Sequence, residues 1–82
     1  MNIDTFLKKH FDIEKHIEDV EGQKTDTIWV YEKGQDSEPF LILQKVSEKE
    51  WMARDVYSVL DHEKIYNVDE IKETFKKTGL VK

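Results

Sequence analysis

The sequence predicts a small α+β domain: an antiparallel sheet of two to three strands built on a hairpin over residues 27–46, one N-terminal helix, and two C-terminal helices over about 48–61 and 68–78. Three observations carry this reading. Residues 66–80 hold the start and stop signals of a helix at both ends. Residues 27–33 and 40–46 are β-branched and aromatic runs separated by a polar stretch containing glycine and proline. The strand-like and helix-like runs are segregated along the chain instead of alternating, which favours helices laid on one small antiparallel sheet.

The first helix follows from Ile3, Phe6, Leu7 and Phe11, which recur at helical spacing. Extending it to Val20 would bring His10 and Glu14 among the apolar residues, so a break is expected near Asp12. Residues 13–20 fit either a second helical piece or an edge strand. The strand is preferred, because Glu21-Gly22-Gln23 then reads as a turn into the next strand. Residues 27–33 and 40–46 form the hairpin, joined by a loop of about five or six residues.

Ser47 and Glu50 have the spacing of a capping box, and Val46 and Trp51 that of a hydrophobic staple. On a helix, Met52, Ala53, Val56, Tyr57, Val59 and Leu60 share one face. On a strand, Asp55 would interrupt the alternation between Ala53 and Tyr57. The helical period is therefore expected over 48–61. For the last helix, Asn67 is the N-cap and Glu70 its capping-box partner, Tyr66 and Ile71 form the staple, and Val68, Ile71 and Phe75 form the stripe. Gly79 and Leu80 stand where a Schellman motif places its C′ glycine and the following apolar residue.

At 82 residues the chain makes one domain, 1–82, with a modest core. It contains no cysteine, which excludes disulfides, thiolate nucleophiles and cysteine-ligated metal centres. No apolar run reaches the roughly 20 residues that span a bilayer, and the first residues lack a basic segment followed by an apolar one. A cytoplasmic location without membrane attachment is the expectation. The net charge is −5, and it is concentrated. Asp12, Glu14, Glu18, Asp19 and Glu21 against the single base Lys15 give −4 within ten residues.

Sequence motifs for catalysis are sparse. The three glycines are far apart and form no phosphate-binding loop, and no serine sits in a nucleophile elbow. Abundant carboxylates fall in segments that do not promise the burial a general acid needs. His10 with Glu14, and Asp12 with His16, have helical ligand spacing but lack a third ligand. A metal-dependent enzyme using His10 and His16 is thus a minor alternative; no catalytic residue, metal site or cofactor is expected. A nucleic-acid-binding module would use Lys72, Lys76, Lys77 and Lys82, but the last helix begins with Val68-Asp69-Glu70, and the overall acidity disfavours phosphate contacts.

The feature that structure alone explains least is aromatic. Trp29 and Tyr31 alternate with Ile28 and Val30, and the neighbouring strand is apolar on both faces, with Phe40 and Ile42 on one side and Leu41 and Leu43 on the other. A sheet covered on one side should be polar on the other. Either helices cover both faces, or the outer face meets a second copy, or it meets a different protein. The functional expectation is a small acidic protein-interaction module without catalysis, inhibitor-like or accessory-like, that binds a protein partner or itself. Trp29, Tyr31 and Trp51 are the expected anchors. Glu14, Glu18, Asp19 and Glu21 are the expected steering charges.

Overall fold

In the computed structural model, which describes residues 3–35 and 37–81, helix α1 (Ile3–His10) leads into strand β1 (Asp12–Val20). Strands β2 (Gln23–Tyr31), β3 (Leu41–Ser47), β4 (Glu50–Asp55) and β5 (Ile65–Asn67) follow, and helix α2 (Val68–Lys77) ends the order. The strands form one antiparallel sheet in the order β1-β2-β3-β4-β5, each beside its neighbour in sequence.

This corrects the expected architecture. The sheet has five strands, not two or three, and among the described residues there is one C-terminal helix, not two. The segment expected as a helix over 48–61 is a tight turn, strand β4 and a loop. The Ser47 and Glu50 side chains do meet, with the hydroxyl donating to the carboxylate at 2.9 Å. They do so as cross-strand partners closing the two-residue turn Glu48-Lys49. The spacing of a capping box is also the spacing of the residues flanking such a turn.

From Trp51 to Arg54 the chain alternates buried and exposed residues, the pattern of a half-buried strand. Asp55, the residue that spoiled alternation, ends the strand. Its carboxylate accepts the N–H groups of Tyr57 (2.9 Å), Val59 (3.0 Å) and Leu60 (3.1 Å), and so ties up the backbone of the loop that follows. Val56 and Tyr57, expected on a buried helix face, are exposed.

The other elements stand near their expected places. The chain breaks at Phe11, whose N–H donates to the Leu7 carbonyl at 2.8 Å, and residues 13–20 lie within β1. The β1–β2 turn places Glu21 and Gly22 at φ of 51° and 82°, the mirror-image turn whose twist suits a two-residue hairpin. The β2–β3 hairpin forms, but its connection spans residues 32–40, longer than expected. On α2 both halves of the Asn67–Glu70 capping box are made, at 2.8 and 3.0 Å. At the other end Leu80 N–H donates to the Phe75 carbonyl (3.0 Å) and Gly79 N–H to that of Lys76 (3.3 Å), the Schellman pair. Gly79 has φ of 78°, which a side chain would strain.

Both helices bury their apolar stripes in the same core. Ile3, Phe6 and Leu7 of α1 and Ile71 and Phe75 of α2 join Ile28, Val30, Leu41, Leu43, Trp51 and Ala53 of the sheet. Phe11 and Phe40 close one end, with ring centroids 5.2 Å apart. Trp29, Ile42 and Met52, on the opposite face of the sheet, take no part in this cluster. Helices on both faces, one of the arrangements the sequence left open, are not what forms.

Candidate functional site

The face without helices is built by strand alternation. Register sets Trp29 beside Ile42 on β2 and β3, and Met52 beside Ile65 on β4 and β5. Met52 pairs with Gln44, two residues from Ile42, so Ile42 and Met52 are diagonal neighbours. An apolar band therefore crosses four strands from Trp29 to Ile65. Met52 is 36% and Ile65 50% exposed, while Trp29 and Ile42 are half-buried.

Three residues of the band, Trp29, Ile42 and Met52, line a trough. A groove of about 910 Å³ has Trp29, Ile42, Gln44 and Met52 among its lining residues. Glu18, Val20 and Glu21 of the β1–β2 hairpin line it as well, together with Arg54 and His62. The trough is thus mixed: Trp29, Ile42 and Met52 lie among carboxylates of the hairpin and Asp55, with Gln44, His62 and the guanidinium of Arg54.

Trp29 is held in place. Its ring lies 4.4 Å, centroid to centroid, from that of His16 on β1, with the planes tilted by 41°. Beside it, Thr27 is fully buried and its hydroxyl donates to the His16 carbonyl at 3.2 Å. Among the described residues, Trp29 Nε1, Trp51 Nε1 and His16 Nε2 are buried without a hydrogen-bond partner, although His16 Nε2 lies 3.9 Å from the Glu14 carboxylate.

The expected site residues fall into three groups. Trp29 lies in the trough. Tyr31 and Trp51 are only 5% and 7% exposed, and Trp51 belongs to the core under the helices. They have little surface to give a partner. The expected carboxylates lie on β1 and its turn: Glu14 and Glu18 on the face shared with Trp29, Asp19 on the alternate side, Glu21 in the turn. Ile42 was noted from the sequence as part of an apolar sheet face but not as a site residue, and Met52 and Ile65 were not singled out. Met52 was hidden by the helical reading of its segment, and Ile65 lay in a stretch taken as a linker.

His10 and His16 do not form a shared centre. His10 ends α1 against the rings of Phe6 and Phe11, while His16 lies over Trp29. Among the described residues no group of three or more histidine or acidic side chains is arranged to hold a metal ion. Of the lysines considered for nucleic acid, Lys72 sits 5.8 Å over the Phe6 ring, Lys76 and Lys77 are exposed in the last turn of α2, and Lys82 lies outside the described residues. The first turn of that helix carries Asp69 and Glu70.

A second groove, of about 960 Å³, opens where the two hairpins part beyond the Thr27–Gln44 pair. Two of its three lysines pair with acids, Lys15 with Asp4 and Lys45 with Asp26 (4.0 Å) and Glu48 (3.9 Å); Lys49 lines it as well. No helix among the described residues is long and apolar enough to cross a membrane. Comparison with known protein families, with individual characterised proteins and with solved structures gives no match.

Proposed function

We propose that the chain is a small protein-interaction module that docks a protein partner in the trough on the helix-free face of its sheet. The observation that carries this reading is the diagonal band Trp29–Ile42–Met52–Ile65, apolar residues on a face that a one-sided sheet should make polar, with Gln44 and Arg54 beside it. Large aromatic and aliphatic groups in a partly desolvated trough are what binding hot spots are made of. Trp29 keeps the anchor role, and Ile42 and Met52 join it. Glu14, Glu18, Asp19 and Glu21 supply a negative field that would hasten encounter with a basic surface.

The test is selection of binders from a random peptide library displayed on phage. Wild-type protein should enrich peptides whose binding is lost in Trp29→Ala and Met52→Glu, while both variants keep the wild-type far-ultraviolet circular dichroism. Peptides that bind the Met52→Glu variant as well as wild type would place recognition elsewhere and defeat the proposal.

A further inference from the structure

The outer edge of β1 is open, and its polar groups can be assigned. Phe40 N–H donates to the Val30 carbonyl at 2.9 Å, so Val30 turns its backbone groups toward β3. In an antiparallel ladder successive residues point to opposite sides. Thr27 and Trp29 therefore address β1, where their partners are His16 and Glu14. The two-residue turn closing on Val20 and Gln23 has the same phase. It follows that Ile13, Lys15, Ile17 and Asp19 direct their N–H and C=O groups away from the sheet. β1 has nine residues, about 30 Å of strand. Lys15, Ile17 and Asp19 are exposed, with Ile17 at 70%.

Such an edge is a template for another strand. Charge decides which. β1 with its turn carries the five acids and one base that give −4, so two copies laid edge to edge would set acid against acid. An extended segment with lysine or arginine on one face is complementary instead. On the side of Trp29 its residues would run beside Glu14, His16 and Glu18. On the helix side they would run beside Ile13, Lys15 and Ile17, where aliphatic groups fit.

We infer that β1 receives a basic, extended segment of a protein partner as a sixth strand, beside the trough. This deepens the interaction-module reading and rests on it, but it uses backbone groups the trough does not.

The probe is a capped, fluorescent nine-residue peptide of alternating lysine and valine, followed by anisotropy at low salt. Two further peptides carry N-methyl groups on the valine amides or on the lysine amides, which blocks one strand edge each. The expected result is binding that weakens with salt, falls by at least about tenfold, some 1.4 kcal/mol, for one methylated peptide, and is unchanged for the other. Amide hydrogen exchange at Ile17 and Asp19 should slow in the complex. Equal binding by both methylated peptides would mean charge attraction alone and would overturn the inference, as would no binding. Slow exchange at Ile17 in concentrated protein without peptide would also overturn it, in favour of a second copy. Any of these failures leaves the trough proposal standing if phage-selected peptides still depend on Met52.

Discussion

The imidazole of His16 packs against the indole of Trp29 across the β1–β2 ladder, diagonal neighbours with ring centroids 4.4 Å apart. The pairing holds the indole against the imidazole on the trough side of the sheet. A side chain already ordered loses less entropy on binding, so under the docking proposal the contact would favour affinity as well as fold. Replacing His16 with alanine removes one wall of the Trp29 seat. The expected loss of stability is about 1 kcal/mol, read as a lower urea midpoint with an unchanged slope. An unaltered midpoint would mean the two rings do not support each other.

The two tryptophans should behave oppositely. Trp51 is enclosed by the core, and Trp51→Ala should cost about 3–5 kcal/mol, enough to unfold a domain this small. Trp29 faces the trough, so Trp29→Ala should cost well under half as much and leave a cooperative melt. Thermal denaturation of the two variants side by side checks this. Comparable losses would make Trp29 a core residue and remove the anchor.

Asp55 organises the loop after β4 through three backbone N–H groups. Alanine there leaves the amides of Val59 and Leu60 without their partner. A loss of about 2 kcal/mol is expected, together with faster amide exchange at Val59 and Leu60. Asparagine, which keeps one acceptor oxygen, should recover part of it.

Tyr57 stacks on Phe40 with centroids 5.3 Å apart. Its phenol is held above the ordinary value of 10.0, first by its hydrogen bond to Glu32, then by partial desolvation and by the negative charges of Glu32 and Asp55. Because the folded state binds this proton more tightly, its contribution to stability is complete below pH 10.0 and is withdrawn as the pH climbs through the higher folded value. Absorbance titration at alkaline pH should show Tyr57 ionising late, as a component absent from Tyr57→Phe, and Glu32→Ala should move it back toward the ordinary value.

How much of this was legible in the sequence depended on whether local signals had a single meaning. Asn67 with Glu70, and Gly79 with Leu80, had one, because the flanking stripe of Val68, Ile71 and Phe75 repeats only at helical period. Ser47 with Glu50 had two meanings, and tertiary pairing with β3 chose the hairpin. Asp55 looked like a break in a strand pattern because it is the end of one, and nothing local says that a carboxylate there will gather three amides. β5 has three residues, Ile65–Asn67, too few for any period to declare itself. The trough was half legible. Trp29 stood out as an aromatic on the wrong face, but its partners Met52 and Ile65 come from strands that exist only once the sheet is assembled.

The trough is the centre of the account, and position-specific photo-crosslinking in the cells that make the protein addresses it most directly. A benzophenone side chain placed at Met52 should yield a discrete heavier species joined to a partner protein, and the same group at the exposed Glu73 on α2 should yield none. Adducts from residue 73 matching those from residue 52, or no adduct from residue 52 at all, would contradict it.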